Sequence, residues 1–219
     1  GFNNVVFSLH LPMADMTGLS NMDDTWFQEY KIDRHALHNS AVSIVYSDYM
    51  RRRVWSNFAR GTSCIMMNLG RNTNQDDAGK PRNRPRVISF FGRLNQGQKG
   101  VLDFARAAVK LKSTYSSMAA LDFRVYGKGD LLDTYKNRGV KWMGHLQGRD
   151  LIDAYHESDI VVMPSRYEPF GMVGLEAMGA GCLLLATAGL GMDEYFKPGK
   201  NGIEIRPNAE VIAEAVYRV

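Results

Sequence analysis

From Arg86 onward, short continuous apolar runs alternate with segments whose apolar residues recur at helical spacing. The runs at 86–92 and 182–187 lack the strict alternation of a half-exposed strand, so we expect both of their faces to be covered. The segments at 101–111 and 149–158 show the spacing of amphipathic helices. Strands that alternate with helices form parallel sheets with right-handed crossovers. The predicted fold class is therefore α/β, with a doubly wound, parallel, Rossmann-like sheet.

The alternating region divides into predicted elements. Strands are predicted at 86–92, 121–127, 140–144, 159–164, 182–187 and 202–207, and helices at 101–111, 149–158 and 172–181. A last helix begins after Asn208, whose side chain suits a helix N-cap. Because sheets of this kind bind ligands at the carboxyl ends of their strands, the loops that follow the strands form the candidate site.

Residues 1–70 contain fewer strand signals. Strands are predicted at 3–10, 41–47 and 64–68, and helices at 25–40 and 48–60. Two or three strands are too few for a doubly wound sheet, so we expect a remnant of a second α/β domain whose beginning is absent. The polar segment 71–85, which contains Pro81 and Pro85, is predicted to link this remnant to a domain at 86–219.

Composition narrows the class of partner. No apolar run reaches the about 20 residues that span a bilayer, and Cys64 and Cys182 do not suggest a disulfide framework, so we expect a cytoplasmic protein. The net charge of +4 is compatible either with an ordinary solvated surface or with affinity for phosphates or an acidic membrane face. The sequence has neither zinc-ligand spacing nor an aromatic and basic RNA-binding pattern, so we expect no nucleic-acid partner.

Two loops carry residues suited to binding a nucleotide. In GRLNQGQKG, residues 92–100, Gly92 allows a sharp turn, and Arg93 and Lys99 then lie beside a helix N-terminus. Two cations next to helix amides suit a diphosphate, although a solvated loop with incidental charge gives the same pattern. The loop GKGD, residues 127–130, does not match a dinucleotide-binding fingerprint; it is either a turn into a helix or a close backbone approach to a nucleoside.

The loop SRYEPFGMVGLEAMGAG, residues 165–181, is the most informative. Glu168 precedes a proline, which favours an extended conformation at the strand end. Residues 171–173 open a helix, and their amides can hold phosphate. Glu176 lies in an apolar helix that we expect to be largely buried. An unpaired carboxylate is costly there, so Glu176 requires a partner, and a ribose diol is a suitable one.

Residues 86–219 resemble the C-terminal domain of retaining glycosyltransferases of the GT-B fold, with the closest likeness to glycosyltransferase family 4 and the glycogen synthases. The motifs that carry the resemblance are FFGRLNQGQKG, FRVYGKGD, DIVVMPSRYEPFGMVGLEAMGAG and TAGLGMDEY. Glu168 and Glu176 match the paired glutamates of that family, with seven residues between them. Upstream, VVFSLH, AVSIVYSDYMRRRV and CIMMNLG resemble late segments of the N-terminal, acceptor-side domain.

The resemblance implies a role for each matching residue. Arg93 and Lys99 would hold the diphosphate, and Glu168 would bind the hydroxyls of the donor sugar. His10 would complete the catalytic group beside the sugar, unless it is a surface histidine at a strand end. The implied donor-binding residues are Gly92, Gly127, Gly144, His145, Phe170, Gly171, Met172, Val173 and Glu176. Among them Glu176 would bind the ribose, the amides of 171–173 the sugar and phosphate, and the pair 144–145 would lie near the base.

Such an enzyme would move a sugar from a nucleoside diphosphate sugar to an acceptor hydroxyl, with front-face attack and retention of configuration. Because Arg93 and Lys99 would stabilise the departing phosphate, we expect no metal and no further cofactor. The implied partners are the nucleotide-sugar donor, a glycan, lipid or small-molecule acceptor, and the rest of the N-terminal domain. Without that domain we expect weak transfer or none. The basic surface is also compatible with peripheral association at the inner face of a membrane.

Two alternative functions stay open at this point. One is a non-catalytic module that binds a nucleotide sugar, which would have no need of His10. The other is a nucleotide-sugar epimerase of the same fold, which would need a different set of acids from the paired glutamates.

Overall fold

Two parallel sheets form the framework of the protein. The computed structural model describes residues 6–8, 35–36, 41–57, 63–66, 86–94, 97–129 and 139–219. The α/β fold class with parallel sheets, predicted from the alternating pattern, is confirmed. The predicted linker at 71–85 and most of the helix predicted at 25–40 lie outside the described residues. The division of the chain into domains at 1–70 and 86–219 stays a prediction.

Within the described residues, the first sheet has three parallel strands in the order β1-β2-β3. These strands are β1 (Val6–Ser8), β2 (Val42–Val45) and β3 (Cys64–Met66). Helix α1 (Asp48–Asn57) follows β2 after a short turn, and its buried residues Met50 and Val54 pack with Val45. The strands and the helix predicted in this part of the chain are confirmed within the described residues.

In the part of the chain that the structure describes, most of the buried apolar residues pack on the second sheet, which contains six parallel strands. They are β4 (Val87–Phe91), β5 (Asp122–Tyr126), β6 (Val140–Gly144), β7 (Ile160–Met163), β8 (Leu183–Thr187) and β9 (Ile203–Ile205). Their order is β6-β5-β4-β7-β8-β9, so the chain first extends the sheet to one side of β4 and then to the other. The order reverses between β4 and β7. Open α/β sheets form their ligand crevice at such a reversal.

Helices cover both faces of the second sheet. On one face lie α2 (Val101–Thr114) and α5 (Ala209–Tyr217), in a cluster with Ile88 and Phe90. On the other face lie α3 (Gly148–Glu157) and α4 (Met172–Gly179), in a cluster with Phe91. All five residues of β4 are buried, as its continuous apolar run predicts. The predicted cap of α5 is also confirmed, since the Asn208 side chain accepts hydrogen bonds from two amides of the first turn.

Strand β6 departs from the expectation that these strands are covered on both faces. Its residues Lys141, Trp142 and Met143 are exposed, with Trp142 at 49% of its full area. The reason is its position: β6 is an edge strand that pairs with β5 alone among the described strands. A short apolar run does not distinguish a central strand from an edge strand, because the position in the sheet is set by distant partners.

Helix length also bears on how the protein could meet a membrane. Within the described ranges, none of the helices is both long enough and apolar enough to cross a bilayer.

Candidate functional site

The loops after β4, β5 and β6 are joined by backbone hydrogen bonds at the carboxyl edge of the second sheet. Gly92 N donates to Tyr126 O (3.0 Å), and Gly127 N donates to Gly144 O (2.7 Å). A Cβ atom at Gly127 would lie 1.8 Å from Gly92 O, so the close approach of backbones excludes any larger residue there. One of the two interpretations of the GKGD loop was a close backbone approach to a nucleoside; the close approach that the structure shows at Gly127 is to another loop of the same chain.

A cleft with two compartments opens above this edge, at the place where the strand order reverses. The first, the aromatic compartment, has a volume of about 300 Å³ and the second, the charged compartment, about 390 Å³. The aromatic compartment is lined by Phe91, Gly92, Arg93, Tyr126, Gly127, Lys128, His145, Leu146, Leu151, Tyr155, Val173 and Glu176. The charged compartment is lined by Tyr46, Arg93, Gln98, Lys99, Glu168, Pro169, Phe170, Gly171, Met172 and Val173. Arg93 and Val173 line both, so the two compartments meet at these residues.

The charged compartment contains an ion pair between two of the predicted site residues. Lys99 Nζ lies 2.6 Å from Glu168 Oε2, and both side chains are largely buried, at 18% and 8% exposure. Ser165 Oγ donates a longer hydrogen bond of 3.4 Å to the same oxygen. The second oxygen, Oε1, accepts no hydrogen bond from any residue that the structure describes. Glu168 therefore has one oxygen bound to a cation and one available to a ligand.

In the aromatic compartment, Glu176 is partly buried, in a helix that was predicted to be largely buried. The partner that such a carboxylate requires is Tyr155, whose hydroxyl donates to Glu176 Oε2 at 2.7 Å. Tyr155 itself is buried and stacks on Phe91 with ring centroids 4.1 Å apart, and Phe91 stacks in turn on Tyr126 at 4.5 Å. These three rings give the compartment an apolar, aromatic wall.

Helix α4 begins between the two compartments. Its N-cap, Gly171, has a φ of 87°, and no side chain in the described part of the protein caps the helix. The Gly174 amide donates to Gly171 O, so the amides before it, those of Met172 and Val173, are the ones directed to the cleft. Tyr195 donates its hydroxyl proton to Gly171 O and thereby fixes this turn. Burial, and then the nearby carboxylates of Glu168 and Glu176, raise the pKa of Tyr195 well above its usual range. Tyr195 is therefore a neutral hydrogen-bond donor at physiological pH.

Arg93 lies at the boundary of the two compartments and is exposed. It forms no ion pair with the residues that the structure describes, whereas Lys99 is already paired with Glu168. An exposed guanidinium at the mouth of a cleft, close to free helix amides, can bind a phosphate without first giving up another partner.

The structure brings together most of the residues predicted from sequence. Gly144 is next to the aromatic compartment, where its carbonyl receives the Gly127 amide, but it is not among the lining residues. His10 lies outside the described residues. Several residues that contact the site were not predicted, among them Tyr46, Phe91, Gln98, Tyr126, Tyr155 and Tyr195. Gln98 and Tyr195 stand inside motifs that were singled out, so those motifs were the available signal.

A metal site would need a cluster of suitable ligands. In the part of the chain that the structure describes, no three His, Cys, Asp or Glu side chains come together in a way that could hold a metal ion.

Comparison with known proteins gives consistent results for sequence and fold. An uncharacterised glycosyltransferase of Methanocaldococcus jannaschii is 35% identical over 143 residues, which cover 61% of this chain and 35% of that protein. The glycogen synthase of Mycobacterium tuberculosis is 33% identical over 138 residues, 59% of this chain and 32% of that enzyme. This chain thus spans about a third of the length of these curated relatives.

Solved structures share the fold at lower sequence identity. A sucrose-phosphate synthase from Thermosynechococcus elongatus superposes with a TM-score of 0.76 at 20% identity, covering 97% of this chain and 57% of that one. The Anabaena protein HepE, solved with UDP and glucose, gives 0.75 at 18% identity, covering 98% and 61%. Residues 85–219 match the family described as glycosyl transferases group 1. This chain therefore belongs to the group 1 glycosyl transferases, and its α/β architecture is that of the GT-B glycosyltransferase structures.

Proposed function

We propose that this chain forms the donor site of a retaining glycosyltransferase that moves a sugar from a nucleoside diphosphate sugar to an acceptor hydroxyl. The observation that carries the proposal is the junction of an aromatic and a charged compartment at Arg93, beside the uncapped start of α4. The parts of a nucleoside diphosphate sugar follow the same order as these regions of the cleft. An apolar base and a ribose diol match the aromatic compartment, two phosphates match the junction, and a polar sugar matches the charged compartment.

The aromatic compartment would receive the nucleoside. Its stacked wall of Phe91, Tyr126 and Tyr155 provides the apolar surface that a base requires. Tyr155 occupies Glu176 Oε2, which leaves Oε1 to accept hydrogen bonds from the ribose hydroxyls. Glu176 would thus bind the ribose hydroxyls while its hydrogen bond from Tyr155 holds the carboxylate in a fixed orientation.

The junction would receive the diphosphate. Arg93, Lys99 and the first amides of α4 all lie around it, and each stabilises negative charge. Charge grows on the departing phosphate as the sugar is transferred, so these groups would stabilise the transition state more than the bound substrate. Since they can supply this stabilisation themselves, we propose that transfer requires no divalent ion.

The charged compartment would receive the sugar. Glu168 has one free oxygen for a sugar hydroxyl, and Phe170 and Tyr46 provide apolar surface beside it. The acceptor hydroxyl would attack from the side on which the diphosphate leaves, so that the configuration is retained. The complexes of relatives support a nucleotide-sugar donor: HepE was solved with UDP-glucose, and TarM of S. aureus with UDP and α-GlcNAc-glycerol.

Calorimetric titration with UDP-, ADP- and GDP-sugars tests the donor site. We expect Glu176→Ala and Lys99→Ala each to weaken binding of the preferred donor by about tenfold or more, since each loses a hydrogen bond to a charged group. Lys110→Ala is the matched control because Lys110 is exposed and pairs with Glu210, away from the cleft. Unchanged affinity in both site variants would contradict the proposal.

Chelation tests the metal independence separately. We expect the affinity for the preferred donor, and any transfer that is measured, to be the same in EDTA and in excess Mg²⁺. A loss of either in EDTA that added metal restores would show that a divalent ion takes part.

A further inference from the structure

The two charged groups of the charged compartment lie on separate loops. Lys99 ends the 3-10 turn Gly97–Lys99, and Glu168 belongs to the loop after β7, 69 residues further along the chain. Their neighbours connect these loops. Arg166 N donates to Gln98 O (2.8 Å), and Gln98 Nε2 donates to Tyr167 O (3.1 Å). The residue before Lys99 is thus bonded to both residues that precede Glu168.

The side chain of Arg166 strengthens this connection. Its Nη1 atom lies 3.1 Å from Gly97 O and 2.7 Å from Asp103 Oδ2, and its Nη2 atom lies 3.4 Å from Pro207 O. The guanidinium therefore joins the 3-10 turn, the first turn of α2 and the loop before α5. Only a planar group with several donors in fixed directions can reach acceptors arranged in this way.

Arg166 is not a ligand-binding residue by position. It lines neither compartment, and its side chain is 40% exposed on the side of α2. Asp103, its charged partner, is only 11% exposed, so their ion pair is partly shielded from water. Arg166 can therefore affect a nucleotide in the cleft either through the groups that it holds or through its charge.

We propose that Arg166 is a positioning residue, which holds the Gly97–Lys99 turn against the Glu168 loop and so places Lys99 for the diphosphate. The inference rests on the proposed donor site. It predicts that removal of the Arg166 guanidinium makes the Gly97–Lys99 turn more mobile. Binding of the phosphates then suffers, while binding of the nucleoside does not.

A double-mutant cycle tests this role. The probes are UDP, ADP and GDP, each beside its own nucleoside, and the variants are Arg166→Ala, Lys99→Ala and the double variant. We expect Arg166→Ala to weaken binding of the preferred nucleoside diphosphate by about 5- to 20-fold, and binding of the corresponding nucleoside by less than about twofold. In the Lys99→Ala background, Arg166→Ala should change diphosphate affinity by less than about twofold, because the group that it positions is gone.

Conservative variants separate geometry from charge. Arg166→Lys keeps the positive charge but cannot reach all three acceptors, so we expect it to be impaired like Arg166→Ala. Asp103→Asn removes the charged partner and leaves Arg166 in place, and it should show the same selective loss of diphosphate affinity. Arg218→Ala, which breaks an exposed ion pair on α5, is the control. If Arg166→Ala does not fold, Arg166→Lys and Asp103→Asn decide the question.

Several results would overturn the inference. Full recovery in Arg166→Lys would mean that the charge alone matters. Independent, additive losses in the cycle, or an equal loss for diphosphate and nucleoside, would mean that Arg166 does not act through Lys99. Failure of the donor site itself gives a different result, since the unaltered chain would then bind none of the three diphosphates.

Discussion

At the scale of single residues, Tyr195 holds the turn that begins α4 between the two compartments. Its hydroxyl donates to Gly171 O at the start of α4, and Gly174 leaves room for it, since a Cβ atom there would lie 2.4 Å from that hydroxyl. The negative charges of Glu168, which precedes α4, and of Glu176, which lies within it, both help to raise the pKa of Tyr195. The turn that presents the first amides of α4 therefore depends on Tyr195 staying protonated.

The raised pKa of Tyr195 predicts a pH-dependent contribution to stability. The unfolded chain loses this proton near the ordinary tyrosine pKa of about 10, whereas the folded chain keeps it to higher pH. Above pH 10 the folded state thus binds more protons, and the contribution falls as pH rises. We expect the wild type to exceed Tyr195→Phe in free energy of unfolding by about 1 kcal/mol at pH 8, and the difference to shrink above pH 10.

Urea unfolding of both proteins between pH 8 and pH 11 measures this difference. Tyr217→Phe controls for the loss of a phenol, because Tyr217 is exposed on α5. A difference between wild type and Tyr195→Phe that stays constant or grows above pH 10 would contradict the assignment.

Single residues also show where reasoning from sequence reaches its limit. The loop after β7 and the resemblance to the paired glutamates marked Glu168 and Glu176 as site residues, and the structure places them in different compartments of one cleft. Their partners were not predictable. Lys99 lies 69 residues from Glu168, and Tyr155 lies 21 residues from Glu176, so both contacts depend on how the sheet and helices assemble. Periodicity reports which face of an element is buried, not which distant side chain it meets.

At the scale of elements, the order of strands and helices in 86–219 was predictable because the central strands are compact apolar runs and helices α2 and α3 have an amphipathic pattern. The exposure of β6 and the shift in pairing register between Val125 and Tyr126 were not predictable, because each depends on the neighbouring strand. Register is set across a sheet, whereas hydrophobic pattern is a property of one segment.

The start of α2 gives an element-scale prediction. Gly100 has a φ of 72°, and a Cβ atom there would lie 2.2 Å from Pro164 O. Pro164 directly follows β7, one of the two strands between which the strand order reverses. Gly100→Ala must therefore move the backbone that follows Lys99. We expect a loss of about 2–4 kcal/mol in the free energy of unfolding, and weaker binding of nucleoside diphosphates.

The matched control is Gly97→Ala in the same loop. A Cβ atom at Gly97 would meet no atom of the described residues within 4 Å, so this variant should unfold at nearly the wild-type urea concentration and keep its affinity. Equal destabilisation of the two variants would mean that the contact between the start of α2 and β7 is not the cause.

At the scale of the whole molecule, the two sheets meet beside the charged compartment. Ser47 Oγ donates to Pro169 O (2.5 Å), directly after Glu168 in the chain. Val45 and Met50 pack in one apolar cluster with Phe170. The first sheet therefore contacts the same loop that supplies Glu168 to the cleft, so the placement of α1 and the shape of the charged compartment are coupled.

The start of α1 offers a measurement of that coupling. Asp48 N donates to Glu194 Oε1 at 2.8 Å, so a carboxylate from the second sheet's half of the molecule caps this helix. Glu194→Ala removes a charged cap worth about 1–2 kcal/mol. We expect amide exchange to accelerate by about 5- to 20-fold in α1 and to stay unchanged in α2, as read by mass spectrometry. Glu214→Ala, an exposed acid on α5, should change neither helix. Equal acceleration in α1 and α2 would mean that Glu194 stabilises the fold generally, and the idea that it secures α1 to the cleft would be wrong.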